Sequence, residues 1–320
     1  MVAISSKRVL VVCPDIDSSE TALGYQIADL LEQGNVPVLS PSPTEINWGD
    51  IKDVKNYFAV HQPQVVLCAL PLGTELFLRT QDANVREVYR ATLANVAQAA
   101  SMNGSAVIFL SDYHVFGGEA KSSYSHSDEA SPLDEFGRYV LSLEQLFAEH
   151  LEKFIVLRFS WLIDIVGDNL LTQTLKTIFD GGTLHANRRR RGSPTWQQDA
   201  LRVIHGVLRQ IMAGATNWGV FHYCSADSCS EYEFASEVHA LLSDVYSVKG
   251  QVESVDTGAD VVEGHYPGLL EPASAVLACT RIKNNFGAHG RSWRQGLTAS
   301  VNRWLELQGV SVELKEAGGA

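Results

Sequence analysis

Arg8 to Gln33 reads RVLVVCPDIDSSETALGYQIADLLEQ. Its first six residues form a nearly continuous apolar run, the pattern of a strand buried on both faces of a parallel sheet. From Glu20 to Gln33 apolar residues return at helical spacing, and Gly34-Asn35 supplies a stop signal. A buried strand leading into an amphipathic helix is the opening unit of an α/β sheet. The alternation continues outward from it. Val36 to Leu39, Gln64 to Ala69, Ser105 to Leu110 and Phe154 to Phe159 read as strands. Between them, Ile51 to Val60, Ala83 to Ser101 and Leu133 to Leu151 read as helices. Strands separated by helices of this length imply right-handed crossovers and a doubly wound parallel sheet.

Beyond Trp161 the rhythm loosens. Asn169 to Phe179, Gln198 to Met212, Glu231 to Leu242 and Arg294 to Leu307 read as helices, and Gly219 to Tyr223 as a strand. Gln251 to Cys279, rich in Gly and Pro, reads as irregular, and Lys315 to Ala320 as a frayed tail. The expected organisation is a nucleotide-binding-type domain over 1–165, a smaller lobe over 166–312 with the chain crossing back, and a flexible tail over 313–320.

The composition of the 320 residues narrows the function. With 25 basic against 37 acidic residues the formal charge is -12, which excludes a general binder of nucleic acid, whose affinity comes from neutralising phosphates. No run approaches the roughly 18 apolar residues of a membrane span. The N-terminus has no small-residue cleavage pattern, so no signal peptide is expected. Cys13, Cys68, Cys224, Cys229 and Cys279 are scattered and odd in number, which is no disulfide framework. A reducing cytoplasm is the expected location. Cys224 and Cys229 near His222 lack further ligands and read as ordinary buried thiols, so no metal is expected.

Six motifs in order then give a resemblance. They are Val107 to Gly118 (VIFLSDYHVFGG), Ser131 to Glu144 (SPLDEFGRYVLSLE), Leu157 to Trp161 (LRFSW), Ser193 to Ala200 (SPTWQQDA), Gly219 to Ala235 (GVFHYCSADSCSEYEFA), and Glu271 to Phe286 with Trp293 to Leu297. The chain resembles the extended short-chain dehydrogenase/reductases, and within them the dTDP-4-dehydrorhamnose reductase group. The resemblance implies a Rossmann-type doubly wound parallel sheet with a smaller C-terminal α+β substrate-binding lobe. It also implies hydride transfer from NAD(P)H to a 4-keto sugar nucleotide. In that family a tyrosine protonates the carbonyl oxygen, a lysine four residues on lowers the tyrosine's pKa, and a Ser/Thr orients the substrate.

Position by position, the resemblance keeps the scaffold and loses the chemistry. Ser111 retains the Ser/Thr position, but Phe136 stands at the tyrosine and Val140 at the lysine. Residues i and i+4 share a helix face, which is the reason for that spacing. No shift of register restores it: Tyr139 is followed by Leu143, Lys153 lies beyond the helix, and neither Tyr113 nor Tyr124 has a lysine at that spacing. The family's glycine-rich loop is here Cys13 to Gly24, where only Gly24 survives. Asp15, Asp17 and Glu20, with Ser18 and Thr21 among them, stand where a pyrophosphate would dock. Ser40 and Ser42 follow the second strand without an acidic residue or an arginine, and Ala69 to Gly73 replaces the family's small-residue stretch. On this reading no cofactor is expected, with NAD(P) implied by the resemblance alone.

Arg188, Arg189, Arg190 and Arg191 go the other way: four consecutive arginines precede Pro194-Thr195, where the family has D-Q-x-G and its sugar-nucleotide cleft. Guanidinium forks suit phosphates, although a charge run is more often a solvated loop. The cleft candidates are therefore Ser111, Tyr113, His114, Arg188 to Arg191 and Thr195. Three functions compete. A non-catalytic binding or regulatory module leads, with a sugar nucleotide, another phosphorylated small molecule or a protein as partner and a homodimer allowed. The alternatives are a sugar-nucleotide reductase or epimerase using displaced groups, with Ser111, Tyr113 and His114 as candidates, and a cofactor-independent site for a phosphorylated metabolite.

Overall fold

A computed structural model of the protein describes residues 8–13, 23–42, 44–117, 121–256, 261–263 and 268–310. Strands β1 (Val9–Val12), β2 (Val38–Leu39), β3 (Val65–Cys68), β4 (Ala106–Asp112) and β5 (Phe154–Phe159) alternate with helices. These are α1 (Leu23–Gln33), α2 (Ile51–His61), α3 (Gly73–Arg79), α4 (Ala83–Asn103) and α5 (Glu135–His150). After β6 (Leu162–Ile163) come α6 (Leu170–Phe179), β7 (Thr183–Asn187), β8 (Arg191–Gly192), β9 (Thr195–Trp196), α7 (Gln197–Met212) and β10 (Gly219–Tyr223). The remainder holds β11 (Cys229–Ser230), α8 (Glu231–Val245), β12 (Gln251–Val255), β13 (Val261–Glu263), β14 (Leu270–Pro272), α9 (Thr280–Phe286) and α10 (Leu297–Leu307).

The large sheet runs β10-β5-β4-β3-β1-β2 and every pairing in it is parallel. The expected α/β fold is therefore present, with β10 returning to the sheet after the chain has left it. Both faces are covered, which explains why the strands are apolar at every position. Along β4, Val107 and Phe109 join the core beneath α2, α4 and α5, whereas Ile108 and Leu110 join the core beneath α1 and α7. At the ends of the crossovers, Asp50, Asp82 and Asp134 accept backbone N–H groups as helix caps.

Elements that sequence periodicity did not predict are mostly short. Gln251 to Cys279 is not wholly irregular: β12 pairs in parallel with β7, and β13 pairs antiparallel with β14. Strands of two to five residues with mixed polarity carry too little period-two signal to be read alone. Helix α3, between β3 and α4, was also unanticipated. Glu20 to Ala22 and Lys315 to Ala320 lie outside the described residues. Among the described residues no helix is long and apolar enough to cross a membrane.

Candidate functional site

In the large sheet the strand order reverses between β1 and β3. Crevices at such a switch point, beyond the carboxyl ends of the strands, are where open α/β sheets bind ligands. A crevice is found there. Cys13 follows β1, Ala69 to Pro71 follow β3, Asp112 and Tyr113 close β4, and Ser160 to Asp164 follow β5 on its wall. The turn into α6, the buried side of Arg190, and Leu269 with Glu271 complete it. Its charged lining is Glu75, Asp112, Asp164, Asp168 and Glu271 against Arg79 and Arg190.

Beneath the crevice lies a buried charged cluster. Asp112 accepts hydrogen bonds from the Gly73 backbone at 2.8 Å, the His114 backbone at 2.9 Å and His114 Nδ1 at 2.9 Å. Gly73 begins α3 with φ +56, a left-handed conformation that glycine adopts without strain. The Tyr113 hydroxyl donates to Glu271 Oε2 at 2.7 Å, and His114 Nε2 lies 3.5 Å from the same oxygen. Arg190 reaches Glu271 Oε1 at 3.1 Å and Glu231 Oε1 at 3.5 Å. Its guanidinium sits 5.4 Å over the Trp161 ring.

The partners fix the protonation states. Burial alone would raise the Glu271 and Asp112 carboxyls. For Glu271, Arg190 and His114 outweigh it, and for Asp112, His114 does, so both are held below their usual range. Burial opposes the His114 imidazolium, yet Asp112 and Glu271 outweigh it and push its pKa up to about 10. Burial and then Glu271 hold the Tyr113 phenol well above its ordinary value, as a proton-bearing hydroxyl. Asp164, also in the crevice, is raised by burial.

Two packing contacts set the cluster's shape. A Cβ on Gly137 would lie 2.4 Å from the His114 carbonyl oxygen, so this glycine lets α5 abut the turn that carries His114. A Cβ on Gly192 would lie 2.2 Å from the Trp161 ring, so Trp161 keeps its place in the crevice wall because residue 192 has no side chain.

The sites expected from sequence separate into those the fold brings to the crevice and those it does not. Tyr113 and Arg190 line it, and His114 stacks directly behind Tyr113 with ring centroids 4.2 Å apart. Ser111 does not line it. Its hydroxyl donates to Glu144 Oε1 at 2.6 Å, within a buried network that continues through Arg158 to His222. Phe136 is packed edge-on against His114 at 5.1 Å and Phe77 at 5.5 Å, and Val140 is 1% exposed. Thr195 is buried, donating to the Ser193 carbonyl and accepting from the Ser225 N–H.

The four arginines do not form one anion site. Asn187 Oδ1 accepts from the backbone of Arg189 and Arg190, making a turn that sends successive side chains in different directions. Arg188 stacks over Tyr232, Arg189 pairs with Asp256, Arg191 pairs with Glu233, and only Arg190 points inward.

On the cofactor side, Gly24 keeps its packing role: a Cβ there would meet Ala69 Cβ at 3.0 Å. Asp15, Asp17, Ser18, Glu20 and Thr21 lie outside the described residues. Burial and Arg158 push the His222 pKa down to about 3, so it is neutral. Among the described residues no group of three His, Cys, Asp or Glu could hold a metal ion.

Glu271 and Trp161 were not singled out as site residues from sequence. Glu271 heads the last of the quoted motifs and Arg190 lies in the arginine run, but no local pattern pairs the two.

Comparison with known proteins bears on this geometry. The chain is 26% identical over 281 residues to a dTDP-4-dehydrorhamnose reductase of Aggregatibacter actinomycetemcomitans, covering 86% of this chain and 93% of that protein. The crystal structure of a dTDP-4-dehydrorhamnose reductase from Clostridium acetobutylicum matches with a TM-score of 0.73 at 23% identity, over 95% of this chain and 100% of that one. That of a Bacillus anthracis dTDP-4-dehydrorhamnose reductase in complex with NADP matches with a TM-score of 0.72 at 19% identity, over 93% and 99%. The RmlD substrate binding domain family matches residues 17–306. The chain belongs to that family.

Proposed function

We propose that the protein is a sugar-nucleotide oxidoreductase that uses Tyr113, in place of a tyrosine at position 136, as the group holding the proton. The observation that carries this reading is the crevice at the strand-order reversal with a protonated phenol in its wall, tied to a buried charge cluster. Support for the substrate class comes from the curated relatives, whose names are those of dTDP-4-keto-sugar reductases. The crevice chemistry suits the sugar portion, since its carboxylates accept hydrogen bonds from hydroxyls.

A nicotinamide cofactor is included because a family relative is a complex with NADP. Among the described residues the fit is one of shape: Gly24 allows α1 to approach Ala69, and Cys13, Ala69 and Leu70 line the crevice. When bound, that cofactor supplies a hydride to the carbonyl carbon. The chain's own residues then manage the proton. Tyr113 gives its hydroxyl proton to the carbonyl oxygen, exchanging Glu271 for the substrate as its acceptor. His114, charged and 3.5 Å from the same Glu271 oxygen, is placed to return a proton through that carboxylate. Arg190 supplies positive charge near the phenol that works against the upward push of burial and Glu271.

The test is oxidation of NADPH by the protein in the presence of 4-keto sugar nucleotides, with Tyr113→Phe alongside. Turnover that the substitution abolishes supports the reading; turnover that survives it assigns the proton elsewhere.

A second reading has its own observation. Phe136 and Val140, at the positions of the family's acid and its cation, are built into the core. A binding module that keeps the crevice and performs no hydride transfer accounts for both. It predicts that a sugar nucleotide raises the unfolding temperature while NADPH is never consumed.

A further inference from the structure

We propose that Cys224 and Cys279 are a modification site: a dithiol that a peroxide converts to an intramolecular disulfide. The sulfurs are in contact at 3.4 Å although the residues are 55 apart in sequence. Cys224 is the residue after β10, and Cys279 is the residue before α9. Their arrangement is held by the backbone: the Cys224 N–H donates to Cys279 Sγ at 3.2 Å, and Cys224 Sγ donates to the Leu277 carbonyl at 3.2 Å. A disulfide spans ~2.0 Å between sulfurs, so forming it requires the two sulfurs to move closer by about 1.4 Å. The two elements are already pinned to each other, since Arg281 of α9 donates to the carbonyls of Trp218 and Val220 beside and within β10.

Access orders the steps. Cys279 is partly exposed, whereas Cys224 is 3% exposed. The Cys279 sulfur attacks one peroxide oxygen and the O–O bond breaks. The departing hydroxide takes up the thiol proton, leaving water and a sulfenic acid. The Cys224 sulfur then attacks the Cys279 sulfur. The S–S bond forms, and the sulfenic hydroxyl leaves with the Cys224 proton as a second water. Two thiols and one peroxide thus become one disulfide and two waters. Cys68 and Cys229 are poorer first targets, since both are buried where Cys279 is partly exposed.

The bond would act on the segment that carries Glu271. Between β14 and α9 the chain threads past Arg191, Tyr124 and Ser160: the Ala275 N–H donates to the Arg191 carbonyl, the Tyr124 N–H to that of Val276, and Ser160 Oγ to that of Ala275. Fixing Cys279 to Cys224 anchors the end of this segment to the large sheet. The inference stands apart from the crevice chemistry and holds for either reading of it.

The experiment uses the native protein treated with hydrogen peroxide, blocked with a thiol alkylating reagent, digested and analysed by mass spectrometry. The expected result is one cross-linked peptide joining Cys224 to Cys279, with free thiols falling from five to three and returning on addition of dithiothreitol. The urea midpoint of the oxidised protein is expected to rise, and Cys279→Ser to remove both the cross-link and that rise. Peroxide treatment that oxidises methionines in the folded protein without producing the Cys224–Cys279 peptide overturns the proposal. This measurement on the unsubstituted chain decides it even if the serine variant does not fold.

Discussion

Tyr113 and Glu271 are 158 residues apart, and the phenol donates to the carboxylate at 2.7 Å inside the protein. That bond joins the end of β4 to β14. It places a proton on a crevice-lining oxygen and a negative charge behind it, balanced by Arg190 and His114.

Tyr113→Phe removes the proton and keeps the ring. Reductase turnover should fall by about 10²–10⁴, the range for loss of a general acid. The far-UV circular dichroism should be unchanged, since the ring still stacks on His114. Steady-state NADPH oxidation by the two proteins checks it.

Arg190→Met leaves Glu231 and Glu271 buried without their guanidinium. Breaking a buried ion pair from one side costs about 3–5 kcal/mol. Urea unfolding should show a loss of that size, and adding Glu271→Gln to the same chain should recover part of it, because the two sites are coupled.

His114 gives stability a pH signature. Its folded pKa is up to about 10, above the ordinary value of 6.5. A group whose pKa is raised on folding binds its proton more tightly in the native state. Its contribution is therefore fully present below pH 6.5 and is lost as pH rises toward about 10. His114→Asn should lower stability at neutral pH and flatten that alkaline decline, measured as unfolding free energy across the window. An unchanged slope would mean that His114 is not charged in the native state.

Val140→Lys tests whether the family's lysine can simply be put back. The position is 1% exposed and packed in the core beneath α5. Glu144, one turn further along α5, is already engaged by Ser111 and Arg158, so a desolvated ammonium there should destabilise by several kcal/mol with no gain in turnover. Chemical denaturation and the same oxidation assay check both halves.

The sheet was legible in the sequence because strands covered on both faces must be apolar throughout. Phe154–Phe159 and Gly219–Tyr223 were read to the residue. The site was less so, for two physical reasons. In β4, Ser111 shares the side of Val107 and Phe109, which faces α5, so its hydroxyl meets Glu144 rather than the crevice. Glu271 lies in a segment with weak periodicity, and its partners arrive from residues 113, 114 and 190, pairings that no local pattern encodes. The arginine run was visible, but the turn at Asn187 that splits it was not. Cys279, distant from Cys224 in sequence, was likewise joined to it only by the fold.

The central claim is that this chain still reduces a sugar nucleotide. The most direct measurement is NADPH consumption, with product analysis, when the pure protein is supplied with dTDP-linked 4-keto-6-deoxy sugars. Stoichiometric conversion of the ketone to the alcohol, lost in Tyr113→Phe, is the expected result. Binding of the same sugar nucleotides without any consumption of NADPH or NADH would contradict it and leave the crevice as a site of recognition alone.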